Sequence, residues 1–185
     1  MGLIRLAVLY TALVLFANAG FAETARLEEL REGSMKKLVF HAEPKPVSDV
    51  AFVSESGAPM TLADLKGKDV LVNFWATWCA PCRKEMLALN ALHKEFGGEA
   101  FEVVTIATGR NSEAGMRRFF EETGVDALPL HRDPKQALAR QMAVLGLPIS
   151  VLLDPQGQEI ARLRGDADWF SDSARAIVSA LISGI

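Results

Sequence analysis

Two runs of near-continuous apolar residues stand out along the chain: Val70 to Ala76 (VLVNFWA) and Phe101 to Ala107 (FEVVTIA). Each is of strand length and rich in β-branched and aromatic side chains, the pattern of strands buried on both faces. Between and after them the spacing turns helical. A helix is expected from about Pro81 to Phe96, ended by Gly97-Gly98, and a second over Ser112 to Thr123, closed by Gly124, with Met116, Phe119 and Phe120 as its apolar side. Leu128 to His131 reads as a short strand. Asp133-Pro134-Lys135-Gln136 then opens a further helix, with Asp133 as cap, Pro134 in the first turn and Gln136 able to reach back. Ile149 to Leu153, the turn Asp154-Pro155-Gln156-Gly157 and Glu159 to Leu163 predict a hairpin, followed by a helix from about Asp168 to Leu181.

Upstream the pattern is looser. Residues 24–38 look helical as far as Gly33, with Leu27 and Leu30 on one face. His41 to Val47 (HAEPKPV) carries two prolines and reads as an extended linker. Val50 to Val53, a turn at Ser56-Gly57 and Met60 to Leu65 read as short strands, closed by Lys66-Gly67-Lys68. Buried strands alternating with helices imply an α/β fold: a mixed central sheet with helices on both faces.

The opening residues 1–22 have a separate character. Arg5 is followed by a charge-free apolar run, Leu6 to Ala17, and then by small residues at Ala17-Asn18-Ala19 or Gly20-Phe21-Ala22. That run is 12 residues, short of the roughly 20 that span a bilayer. The expectation is a cleaved export signal or, alternatively, a membrane anchor with Leu3 to Phe21 in the bilayer. Either places the remainder outside the cytoplasm, in the periplasm of a Gram-negative cell. The expected organisation is a signal or anchor over 1–22, a helical extension and proline-containing linker over 23–47, and one domain over 48–185.

Composition narrows the function. The 185 residues are 50% hydrophobic, enough for a sizeable core, and 20 Lys and Arg against 23 Asp and Glu give a net charge of −3. Without a basic excess, a bulk affinity for nucleic acid is not expected. The chain has 2 cysteines, Cys79 and Cys82, which excludes a multi-disulfide scaffold and a four-cysteine zinc site. His93 and His131 show no ligand spacing to them, so no metal is expected. In an exported protein a bridge across two intervening residues would constrain the unfolded chain very little. A purely structural role is a poor use of the pair.

The pair lies in Trp78-Cys79-Ala80-Pro81-Cys82, where a buried strand passes into a helix. Three-residue spacing places both sulfurs on one helical face, within bonding reach. Cys79 falls at the helix start, where unpaired N–H groups and the dipole favour a thiolate; Cys82, one turn in, is placed to resolve a mixed disulfide. Pro81 suits the first turn, where its missing N–H costs nothing.

The stretch Val70 to Glu85 (VLVNFWATWCAPCRKE) resembles the active-site strand and helix of thioredoxin-fold proteins, in particular the exported TlpA-like reductants (TlpA, ResA and CcmG types). Gly146-Leu147-Pro148-Ile149 with the following hairpin is similar to that family's second half. The 69 positions from Cys79 to Pro148 leave room for the family's central βα insertion, and an N-terminal strand extension is expected too. The resemblance covers roughly residues 50–183. It implies a thiol:disulfide oxidoreductase with no cofactor beyond a redox-active Cys79–Cys82 disulfide. Cys79 would attack, Cys82 would resolve, and Pro148 would be the cis-proline beside the dithiol. Trp78, Ala80, Pro81 and Leu147 would line the substrate groove, Trp78 shielding the disulfide. Glu85, three residues past Cys82, would accept its proton, since the strand position that is aspartate in cytoplasmic thioredoxins is the non-titrating Asn73 here. Partners implied are disulfide-bearing exported proteins, such as apocytochrome c or copper-site assembly proteins, and a membrane electron donor of the DsbD or CcdA kind. Two departures stand: Leu87 where the family often has proline, and Ile149 where it usually has threonine.

Two other readings share the fold. A Sco-like copper chaperone would use a wider cysteine spacing and a distant histidine; His131, 52 positions past Cys79, is too close, and Met35, Met60 and the histidines form no visible cluster. A peroxiredoxin would need a lone peroxidatic cysteine with its own threonine spacing, whereas Thr77 is two residues before Cys79 in a Trp-Cys-x-Pro-Cys context.

Overall fold

In the computed structural model, which describes residues 24–184, the apolar runs form the middle of one eight-stranded sheet. The elements are α1 (24–29), β1 (Leu38–Lys45), β2 (Phe52–Val53), β3 (Pro59–Met60), β4 (Asp69–Trp75), α2 (Ala80–Phe96), β5 (Phe101–Thr108), α3 (Glu113–Thr123), β6 (His131–Asp133), α4 (Ala137–Gln141), β7 (Ile149–Leu153), β8 (Glu159–Arg164) and α5 (Asp172–Ser183). The strand order is β1-β8-β7-β4-β5-β6-β2-β3. β4, β5 and β6 run parallel, and the remaining neighbours pair antiparallel. This is a thioredoxin-like α/β fold.

Strand alternation sorts side chains onto two faces. Leu71 and Trp75 of β4 join Val103 of β5 and Leu152 of β7 in a core shared with Met86 and Leu89 of α2, Phe119 of α3 and Ile177 of α5. Val70, Val72 and Phe74 face the other way, against Leu138 and Ala139 of α4 and Phe52. The even-numbered apolar residues of β4 thus face α4, and the odd-numbered ones face α2. Asn73 belongs to the second set. Its register partners, Thr105 and Ser150, make a fully buried polar row across three strands on the face α2 covers.

Four local expectations change. His41 to Val47 is extended, but as far as Lys45 it belongs to β1 rather than to a linker, pairing with β8 at the sheet's edge. An edge strand tolerates Pro44, which falls where the register shifts between Phe40 and Lys45. Of Met60 to Leu65, only Met60 is in a strand, β3. Asp64 accepts from both the N–H and the hydroxyl of Thr61, at 2.7 and 2.8 Å, and Leu62–Leu65 winds into a 3-10 turn. β6 starts at His131 instead of Leu128. α4 starts at Ala137, because Gln136 takes a left-handed conformation with φ 55° instead of reaching back. Asp133 still caps that helix, accepting from Ala137 and Ala139 N–H at 2.9 and 2.8 Å. The signal or anchor expected over 1–22 lies outside the described residues.

Candidate redox site at the start of helix α2

β4 leaves the sheet at Trp75, and four residues later Cys79 caps α2. Cys79 and Cys82 are joined by a disulfide, with Cα atoms 5.3 Å apart, and the Cys79 Sγ accepts from the Cys82 N–H at 3.2 Å. Pro81 occupies the first turn. Cys82 is fully buried and Cys79 is 5% exposed, so only the first sulfur lies near the surface. Once reduced, a Cys79 thiolate would sit where α2 presents its unpaired N–H groups, a position that favours an anion.

The loop that delivers Cys79 is held from the side. Thr77 donates through both its N–H and its hydroxyl to Asn111 Oδ1, at 2.8 and 3.0 Å, and Asn111 Nδ2 donates to the Thr108 carbonyl at 2.9 Å. The Thr77 hydroxyl is thus committed to Asn111. Trp75 packs in the core between Phe119 and Phe120, with ring centroids 4.8 and 5.4 Å away. Trp78 is 64% exposed.

Phe74 is the register partner of Ile149, so Leu147 and Pro148 lie across from the end of β4, where the chain departs toward the cysteines. The Leu147–Pro148 peptide is cis, and Gly165 N–H donates to the Pro148 carbonyl at 2.9 Å. Pro148 is buried, Leu147 and Pro81 are half-buried, and Ala80 is exposed. At the family's proline position, Leu87 is exposed on an uninterrupted α2.

Glu85 follows Cys82 by three residues and turns inward with it, 1% exposed. Its Oε1 accepts from Asn73 Nδ2 at 2.8 Å and its Oε2 from Ala167 N–H at 3.1 Å. Asn73 Nδ2 also donates to Ser150 Oγ at 3.0 Å. Burial drives the Glu85 carboxyl up to about 7; the bonds from Asn73 and Ala167 oppose that rise, and Asp166 adds to it. The structure therefore brings Cys79, Cys82, Glu85 and Asn73 to one end of the sheet. Sequence reading missed Ser150, Ala167 and Asn111. Ser150 left a faint signal, a lone polar residue in the apolar run ISVLL.

Among the described residues no group of three or more His, Cys, Asp and Glu is placed to hold a metal ion.

Comparison with known proteins agrees with this geometry. The AhpC/TSA family matches residues 44–161. The thioredoxin-like protein YneN of Bacillus subtilis is 35% identical over 122 residues, covering 66% of this chain and 71% of that protein. The thiol-disulfide oxidoreductase ResA of the same organism is 33% identical over 110 residues, 60% of each chain. The crystal structure of a putative thiol:disulfide interchange protein DsbE from Chlorobium tepidum shares the fold, with TM-score 0.66 at 24% identity, covering 76% of this chain and 97% of that one. The chain belongs to the AhpC/TSA family, as a thioredoxin-fold thiol:disulfide oxidoreductase of the TlpA and ResA type.

Proposed function

We propose that this protein reduces disulfides of exported partner proteins in the periplasm, cycling between a Cys79/Cys82 dithiol and the disulfide. In the first step the Cys79 thiolate attacks one sulfur of the partner's disulfide, forming a mixed disulfide and releasing the partner's other sulfur as thiolate. Cys82 then gives its proton to Glu85 and attacks Cys79 Sγ. The mixed bond breaks, the partner leaves with both sulfurs reduced, and its two electrons have come from the dithiol. A membrane donor of the DsbD or CcdA kind would return those electrons. Apocytochrome c and copper-site assembly proteins are the partner classes this reading favours. Residues 1–22 would serve as export signal or anchor.

The observation that carries the reading is the position of Glu85: buried, one helical turn behind Cys82, with a pKa raised to about 7. A carboxyl poised there can take a thiol proton and release it again near neutral pH. Asn73 supports both states. Its Oδ1 is buried with no hydrogen-bond partner among the described residues. Turning the amide over would aim that acceptor at a protonated Glu85, while Ala167 keeps donating to the other oxygen.

The test is turnover of an insulin-type disulfide with dithiothreitol as donor. Cys79→Ser should abolish it. Cys82→Ser should also stop turnover yet accumulate partner adducts through Cys79, and sequencing those adducts would name the physiological substrates. Turnover retained by Cys79→Ser would overturn the assignment.

A further inference from the structure

A groove of about 490 Å³ lies on the α4 side of the sheet, between the segment after β1 and the loop that ends α4. Its charged lining residues are Lys45, Arg162, Arg164 and Glu159, with His41 beside them. Glu159 is 4% exposed and already matched: Arg162 grips it through Nε and Nη2 at 2.8 and 2.7 Å, and His41 Nε2 lies 2.8 Å from Oε1. Arg162 also donates to the Met142 carbonyl at 2.7 Å, which ties the groove floor to the loop leading toward Pro148. With Glu159 and Arg162 cancelling, Lys45 and Arg164 remain. Both are exposed, and neither has an ion pair among the described residues. In a chain of net charge −3 this is a local cationic surface.

One end of the groove lies beside the strand that follows Pro148. Arg164 is the register partner of Ile149, the residue after Pro148, and its neighbour Gly165 donates to the Pro148 carbonyl. Lys45 pairs with Glu159 at the opposite end of β8, five residues from Arg164, which is about 17 Å of strand. We propose that this groove docks an acidic segment of the disulfide-bearing partner, one carboxylate meeting Arg164 beside Pro148 and another, about five extended residues away, meeting Lys45. This inference rests on the oxidoreductase reading and names the kind of substrate that site prefers. Exposed pairs of this sort contribute little energy singly, so they select among partners through capture rate and salt-sensitive affinity more than through tight binding.

The test uses the full chain and three disulfides: a peptide disulfide flanked on one side by an extended segment with two glutamates five residues apart, the same peptide with both glutamates replaced by glutamine, and 2-hydroxyethyl disulfide. The acidic peptide should show kcat/KM about 3- to 10-fold above its neutral twin at low salt, converging with it as ionic strength rises. Lys45→Glu with Arg164→Glu should erase or reverse that preference, and the milder Lys45→Ala with Arg164→Ala should erase it. Both should leave 2-hydroxyethyl disulfide reduction unchanged. Equal rates for the two peptides, or a preference that survives both double variants, overturns the groove assignment. So does charge-dependent binding confined to anionic lipid vesicles. Failure of the wild type to reduce 2-hydroxyethyl disulfide would instead strike the oxidoreductase reading itself.

Discussion

Two glutamates are buried almost to the same extent, and the chain treats them oppositely. Glu85 on α2 is 1% exposed and Glu159 on β8 is 4% exposed. For both, burial is the largest single influence and pushes the pKa upward. Around Glu85 the partners are neutral, the Asn73 amide and the Ala167 N–H, with Asp166 as a like charge, and the carboxyl rises to about 7. Around Glu159, the bonds and charges of Arg162 and His41 together outweigh burial, and the carboxyl falls below its ordinary value. Burial alone does not make a proton-transfer group; burial without a countercharge does. The first glutamate is free to change state during a reaction, and the second is fixed as an anion between His41 of β1 and Arg162 of β8.

The largest change that would break this contrast is removal of the countercharge. Arg162→Met leaves Glu159 buried against His41 alone, and a stability loss of about 3–5 kcal/mol is expected by chemical denaturation at pH 7. The Arg162→Met, Glu159→Gln double variant should recover a large part of it. A loss below 1 kcal/mol would show that Glu159 is solvated rather than held.

The next effect is pH dependence from Glu85. Its folded pKa, about 7, lies above the ordinary 4.5, so the folded state binds more protons than the unfolded one between those values. Stability should therefore be highest below about pH 4.5, as far as this group is concerned, and decline as pH rises to 7, by about 3 kcal/mol. Glu85→Gln should remove that decline and be the more stable protein at pH 8, most clearly if Asn73 turns its free Oδ1 toward the new amide. Parallel melting profiles for the two proteins across pH 4.5–8 would contradict it.

These two sites were unequally legible in the sequence. Glu85 could be placed because its spacing from Cys82 is local, three residues within one helix. The Glu159 cluster could not, because His41 and Arg162 meet it through the pairing of β1 with β8, a long-range register. The same division runs through the fold. The buried strands β4 and β5 declare themselves by composition. Pro44 hid an edge strand, and the Thr61–Asp64 contact wound Leu62–Leu65 into a 3-10 turn where a strand was expected. Ser150, Ala167 and Asn111 reach the redox site only through the assembled sheet and its loops.

The smallest effect is a control on exposed charge. Lys94 lies 2.6 Å from Asp126, with both side chains more than half exposed. Lys94→Met should leave stability close to that of the wild type, despite contact geometry as close as that of Arg162 with Glu159. A loss matching that of Arg162→Met would mean that contact distance, and not burial, sets the energy.

The central claim, that Glu85 takes the proton of Cys82, is tested most directly by the rate of the resolving step in Glu85→Gln. A mixed disulfide is formed on Cys79 in rapid mixing with a chromogenic disulfide, and release of the second thiol is followed from pH 5 to 9. The account predicts that the first step forms at near wild-type rate, that resolution at pH 7 slows by about 10- to 1000-fold, and that the wild-type inflection near pH 7 disappears. Resolution as fast as wild type, with a superimposable pH profile, would contradict it and reduce Glu85 to a buried structural carboxyl.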